Sequence, residues 1–493
     1  MSSPRNLPSL YQVNTRLWLR RLAEAGERPL SLDEVPEFEI DSWSVAGFDW
    51  VWLLGVWEPS QVGAQLARLD PGVRQAAAAA LPDLTEEDLC GSCFSIPSYS
   101  VNPALGGEQA LARFRSRLNG RGMKLMLDFV PNHTAIDHPW LESHPAFYIE
   151  GSEADLARDP GNYVMVPQGD GARILAHGRA PDSPGWADTL QLNYSNPGLQ
   201  QAMLDTLLKV ADRCDGVRCD MAMLLLPEVF TRTWGMTCPP FWPQAIRAVR
   251  AQHTEFVFLA EVYWDLEARM IQEGFDYAYD KRLYDRLRQQ RAVPVCAHLR
   301  TDVHLQAQLA RFLENHDEMR AAAAFAPAMH KAAAVATYLA PGMRFFHQGQ
   351  LEGWQRQVPV QLCRSIREPP DAELASFYAR LLDVVRMPVV HSGTWRLLEC
   401  HQAWHGNWTW ENFVCYLWTI PGGEPVLAAV NYAAHDSQCF VRFPPTDLGG
   451  RDWCLVDQLS DVEYLRNGDD LVDRGLYLDL PAWGQHVFRI VRT

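Results

Sequence analysis

The chain has 493 residues, 47% hydrophobic and 21% charged, with a formal net charge of −16. That length exceeds one ordinary domain and supports a large core, and the composition excludes a disordered chain. The acidity argues against nucleic acid or an anionic membrane as partner, since both take a basic footprint. No uninterrupted apolar run is long enough to span a bilayer, and Met1–Arg5 has no apolar signal core, so a cytoplasmic protein is expected.

In chain order, eight segments read as strands: Tyr11–Trp18, Asp49–Val56, Met123–Val130, Gly216–Asp220, Val257–Val262, Phe275–Tyr279, Arg311–Asn315 and Met343–Gln348. Several are near-continuous apolar runs, the pattern of parallel strands buried on both faces. Helical stretches precede strands three, four and five at Glu108–Leu118, Pro197–Asp212 and Pro243–Gln252. Alternation repeated eight times predicts an α/β fold, a (β/α)8 TIM barrel, over residues 1–133 and 197–390. An Ala-rich helix is expected around Val73–Leu81, between strands two and three. The Gly-, Pro- and Asp-rich stretch 134–196 is long enough for a small inserted lid subdomain after strand three, and loops of that length are usually functional.

Past about Met387 the pattern changes. Val414–Trp418, Val426–Ala429, Gln438–Phe443, Trp453–Val456 and Gln485–Val491 read as short strands divided by turn residues, which predicts a C-terminal all-β sandwich over 391–493. The 11 cysteines are mostly scattered singly. The one CxxC pair, Cys90 and Cys93, has no second pair or nearby His for zinc, so free thiols are expected. The 18 tryptophans suit a carbohydrate site, although most are expected to fill the core and its interfaces.

Active sites of (β/α)8 barrels form at the C-terminal strand ends. Asp220, Glu261 and Asp317 would end strands four, five and seven and converge there. Arg218, two residues before Asp220, points to the same strand face and is expected to keep that carboxylate ionised. An ionised carboxylate beside a protonated one is what retaining glycoside cleavage needs.

Four segments carry a resemblance: Asp128-Phe-Val-Pro-Asn-His133, Gly216-Val-Arg-Cys-Asp220, Phe258-Leu-Ala-Glu261 and Glu314-Asn-His-Asp317. In this order they resemble the four motifs of the α-amylase superfamily of retaining α-glucan-active enzymes. Gly47–Leu53, Tyr99–Pro103 and Trp186–Asp188 extend the likeness over almost the whole chain. The resemblance implies that Asp220 is the nucleophile, Glu261 the acid/base and Asp317 a holder of sugar hydroxyls. It also implies that Arg218 supports Asp220, that His133 and His316 bind hydroxyls, and that Asp128 and Asn132 organise the site. The substrate it implies is an α-glucan or malto-oligosaccharide.

The chain departs from the family pattern in two places. Phe94 stands where relatives stack a Tyr under the sugar. Met221-Ala-Met223-Leu replaces a Lys-His pair that contacts the leaving-group side. Tyr263 and Trp264 are expected to supply an aromatic acceptor platform, with Met221 and Met223 either beside it or packed away. No metal or cofactor is required. A structural calcium at Asn132 remains an alternative, although Asp155, Asp159 and Asp170 lack calcium-loop spacing. Transfer or isomerisation by the same residues is the first rival to hydrolysis. A silent carbohydrate-binding protein is the second.

Overall fold

The computed structural model describes residues 7–23, 28–168, 171–444 and 448–493; Met1–Arg5 and Asp170, named above, lie outside them. Eight parallel strands close into a barrel: β1 Ser9–Asn14, β2 Trp50–Leu54, β3 Lys124–Phe129, β4 Gly216–Cys219, β5 Val257–Ala260, β6 Tyr277–Tyr279, β7 Leu309–Arg311 and β8 Met343–His347. Each pairs with its sequence neighbour, and β8 pairs with β1. Their near-complete burial explains the continuous apolar runs in the sequence.

Two strands differ from expectation. β1 stops at Asn14, whose side chain accepts from the Leu17 N–H at 3.4 Å and caps a helix over Thr15–Leu22. Trp18, expected in the strand, is buried on that helix. β7 ends at Arg311 instead of Asn315. Beyond it the chain turns at Asn315, whose Oδ1 accepts from the N–H groups of Asp317 and Glu318, both at 2.9 Å. Asp317 therefore rides on a turn beyond the strand, not on the strand end.

Between β3 and β4, His133–Ala135 pairs antiparallel with Thr189–Gln191, and Tyr163–Gln168 with Gly171–Ala176. The Ala-rich helix forms over Pro71–Ala80.

The C-terminal part has a six-stranded antiparallel sheet and a three-stranded one. All five expected strands form. Thr394–Leu397, Glu399–Gln402, Glu463–Asn467 and Leu476–Leu480 are additional. Strand Phe413–Thr419 is apolar from Phe413 to Trp418 because it faces two cores. Phe413, Cys415 and Leu417 point into the sandwich, while Val414, Tyr416 and Trp418 point at the barrel. Tyr416 Oη donates to Ala336 O at 2.8 Å and Trp418 Nε1 to Leu339 O at 2.8 Å, which ties the sandwich to the helix before β8. Among the described residues, no helix is long and apolar enough to cross a membrane.

Candidate active site

Strands β4 and β5 lie side by side, with Arg218 level with Leu259. Past their ends the backbones stay joined: Glu261 N–H donates to Cys219 O at 3.1 Å and Ala222 N–H to Glu261 O at 3.0 Å. Met221, next to Asp220, adopts a left-handed conformation with φ 42°. For a side chain of that size this is a strained state, of the kind held where surrounding structure needs it. Its N–H is thereby aimed at Glu261 Oε2, 2.7 Å away.

Arg218 is the hub. Its Nη1 is 2.6 Å from Asp220 Oδ1 and its Nη2 is 2.7 Å from Glu261 Oε2. Nη1 also lies 3.9 Å from Asp128 Oδ1, and Nε donates to the Tyr279 hydroxyl at 3.3 Å. The guanidinium is packed against the rings of Phe94 at 5.0 Å and Trp52 at 5.3 Å. It is fully buried, as are Asp128, Asp220 and Glu261 to within a few per cent.

One cation thus serves several carboxyls in a dry site. Burial raises the pKa of both Asp220 and Glu261, and Arg218 opposes it without prevailing. The expected contact of Arg218 with Asp220 forms, but the same guanidinium also serves Glu261. The two groups titrate as a pair around a shared cation, which favours one proton between them. Asp128 is pushed up to about 6 by burial, against the pull of Arg218. Asp317 behaves differently. Partial desolvation raises its pKa, but His316, with Nε2 3.0 Å from Oδ2, together with Arg218 and His347 outweighs this and holds it below the ordinary range. Its side chain is 48% exposed, so it faces the open bowl.

The other residues singled out in the sequence divide into three groups. His316, Phe94, Asp128 and Tyr263 join the hub. His316 Nδ1 is 2.8 Å from Gln12 Nε2, and Phe94 lies 5.1 Å from the imidazole. Asp128 accepts from Trp52 Nε1 at 3.1 Å and from the Gly55 N–H at 3.3 Å. Tyr263 Oη donates to Glu261 Oε1 at 2.8 Å, so it holds the carboxyl group instead of forming a free platform. His133 lies beside Trp186, ring centroids 5.1 Å apart, and burial brings its pKa down to about 4, leaving a neutral imidazole. Trp264 is 45% exposed at φ 61° and is available to a ligand. Met223 is not. It is fully buried in the 3-10 turn Ala222–Leu225 and packs in the core, which rules out a sugar contact.

Four contributors went unread in the sequence: Gln12, Trp52, Tyr279 and Gln357. Gln12 is a polar residue within an apolar strand, and Tyr279 closes β6, so both carried a signal. Gln357, whose Nε2 donates to Asp317 O at 2.7 Å, comes from the long segment after β8 and carried none.

A family model for the α-amylase catalytic domain matches residues 96–166, which include the Asp128–His133 motif. The α-amylase MalA of Haloarcula japonica is 26% identical over 267 residues, covering 51% of this chain and 35% of that protein. In sequence the chain is thus similar to members of the α-amylase superfamily. The trehalose synthase/amylase TreS of Mycolicibacterium smegmatis is 25% identical over 262 residues, covering 45% of this chain and 42% of that protein. The matched stretches are thus less than half the length of these two relatives. The solved maltogenic α-amylase AmyB of Thermotoga neapolitana shares the fold over 99% of both chains, with a TM-score of 0.71 at 18% identity.

Among the described residues, the oxygens considered above for calcium, those of Asn132, Asp155 and Asp159, have other partners. Asn132 Nδ2 donates to Gln191 Oε1 at 3.2 Å, and Asn132 Oδ1 accepts from Gln191 Nε2 at 3.1 Å. Its amide is sealed by another amide. Asp155 and Asp159 are both paired with Arg158 on a surface helix end. Those oxygens do not fit a hard cation, which takes six or more converging oxygen ligands.

Proposed function

We propose that this chain is a retaining enzyme that cleaves α-glucosidic bonds of α-glucans or malto-oligosaccharides by double displacement. The observation that carries this reading is the forked contact of one buried guanidinium with Asp220 and Glu261, with Asp317 facing the same bowl. Asp220 attacks the anomeric carbon while Glu261 protonates the departing oxygen. Glu261 then takes a proton from the incoming hydroxyl, which releases the sugar with its configuration retained. Asp317 and the neutral His133 hydrogen-bond sugar hydroxyls, and the Phe94 face stacks on the ring. The arrangement needs no cofactor.

The incoming hydroxyl comes from water or from a second sugar, and the same base serves both. The apolar Met221 and the exposed Trp264 beside the acid/base favour short acceptors held by ring stacking over long chains held by charged groups. The test is to incubate the protein with maltose through maltoheptaose and with soluble starch, with and without added glucose. Products are followed by chromatography, and the anomer first released by NMR. Retained configuration and loss of turnover in Asp220→Asn are expected. First release of the inverted anomer overturns the mechanism.

A further inference from the structure

Two segments that flank the bowl, one after β2 and one after β8, meet away from the catalytic residues. Leu89 and Leu362 form an antiparallel bridge. It is closed by Cys90 N–H donating to Gln361 O at 2.9 Å and Cys363 N–H to Asp88 O at 3.0 Å. This register places Cys90 and Cys363 as diagonal neighbours on one face of the two-stranded contact. Both are only partly buried, and each thiol donates to a carbonyl of the facing segment, Cys90 Sγ to Gln361 O at 3.3 Å and Cys363 Sγ to Glu87 O at 3.5 Å. The buried Arg16 stands beside them and donates to Gly91 O at 3.1 Å and Val360 O at 2.6 Å, one acceptor from each segment. Cys93, the sequence partner of Cys90 in the CxxC pair, lies on the Gly55 side of Arg16.

We propose that Cys90 and Cys363 are a thiol-oxidation site, forming a reversible disulfide that fastens the segment after β8 to the segment after β2 and thereby adjusts the bowl. The oxidant class is a low-molecular-weight disulfide. The Cys90 thiolate attacks one sulfur of that disulfide, forms a mixed disulfide and expels one thiolate. The Cys363 thiolate then attacks Cys90 Sγ and expels the second. Two cysteine thiols lose two electrons and two protons, and the small disulfide is reduced to two thiols.

The neighbouring Cys90 thiolate, then burial, hold the Cys363 pKa up, so Cys90 attacks first, and Cys363 can ionise once Cys90 is capped as a mixed disulfide. Contact with the Cys363 thiol, and then with Arg16, brings the Cys90 pKa down to about 6 against burial, so Cys90 is mostly thiolate at neutral pH. Burial pushes Cys93 up to about 12, which leaves it an inert thiol. Closure also has to move backbone. Diagonal residues of an antiparallel pair are about 7–8 Å apart at Cα, beyond the usual disulfide span of about 4.4–6.8 Å. The segment that must shift carries Gln357, which holds Asp317 O, and Gln361, which lines a cleft with Trp186 and Asp188. Drawing Cys363 toward Cys90 moves both.

Peptide mapping under non-reducing conditions, after equilibration with oxidised and reduced glutathione, tests the bond itself and needs no substrate. The linked peptide containing Cys90 and Cys363 is expected, and it is lost on adding dithiothreitol. The functional half rests on the activity proposed above and is read as turnover of maltoheptaose. A several-fold fall on oxidation, reversed by dithiothreitol, is expected. Cys90→Ser and Cys363→Ser should each keep the reduced rate and lose the response, with Cys363→Ser carrying one glutathione at Cys90. A map without the Cys90–Cys363 peptide overturns the proposal, whichever other cysteines are oxidised. A linked peptide with unchanged turnover overturns its regulatory part, as does equal inhibition of Cys90→Ser.

Discussion

Tyr263 donates its hydroxyl to Glu261 Oε1 at 2.8 Å, while Glu261 Oε2 is taken by the Met221 N–H and by Arg218 Nη2, both at 2.7 Å. This asymmetry assigns the proton of Glu261 to a particular oxygen. Oε2 already receives two donors and has no room for a hydrogen of its own. When Glu261 is the acid its proton sits on Oε1, and the Tyr263 hydroxyl turns to accept. When Glu261 is the carboxylate base, the same hydroxyl donates. In the proposed mechanism Tyr263 is a positioning residue that follows the acid/base through both half-reactions.

The Tyr263→Phe variant should therefore change the pH profile. The ionised carboxyl loses a charge-assisted hydrogen bond, the neutral one a weaker contact. The pKa of Glu261 rises, and the basic limb of kcat/KM moves to higher pH by about one unit. The measurement is kcat/KM against pH on an unactivated α-glucoside. An unmoved basic limb with a uniformly lower rate would mean that Tyr263 only packs against the site.

Trp264 and Met223 were read together from the sequence but stand in different surroundings, 45% exposed and fully buried. Trp264→Ala should lower transfer to added glucose more than it lowers hydrolysis, because it removes an acceptor face and nothing from the bowl. Met223→Ala should leave that ratio alone and cost about 2–5 kcal/mol of stability through the cavity it opens. Product ratios and urea midpoints of the two variants separate the roles.

The barrel was legible because most strands are buried apolar runs, and four of them lead into acidic or polar motifs. The bowl was legible where strand geometry decides, as with Arg218 and Asp220 two residues apart on one face. Legibility failed where a turn replaces a strand. The choice between platform and packing for Met223 was left open, because the left-handed Met221 ends the strand alternation after Asp220 and folds the next residues inward. Asp317 was placed at a strand end although Asn315 turns the chain after β7. The Cys90–Cys363 contact joins positions far apart in sequence, and no local pattern announces it.

Calcium removal should have little effect. The Asn132 amide is closed by Gln191, and the two described acidic candidates of the insert belong to Arg158. A bound ion that favours the fold raises Tm with the logarithm of its concentration over its Kd, so without a site EDTA followed by added calcium should shift Tm by less than about 1 °C. A larger drop on chelation, restored by calcium, would locate a cation on oxygens other than these.

Glu267 offers a test of burial without touching the bowl. It begins the helix Glu267–Glu273 and is 5% exposed, and its Oε1 has no hydrogen-bond partner. Burial raises its pKa from 4.5 to about 7, against the pull of its backbone hydrogen bond. Because the folded-state value is raised, its contribution to stability is fully present below the unfolded pKa and is lost as pH rises through about 7. Above that, the fold must hold a buried anion that the unfolded chain hydrates freely. Glu267→Gln keeps the shape and cannot ionise. Its advantage over the parent chain should be absent near the unfolded pKa and grow through neutrality toward about 3 kcal/mol at alkaline pH. Urea unfolding of both proteins across that range gives the difference directly. A difference that does not change with pH would mean that Glu267 is hydrated in the folded protein.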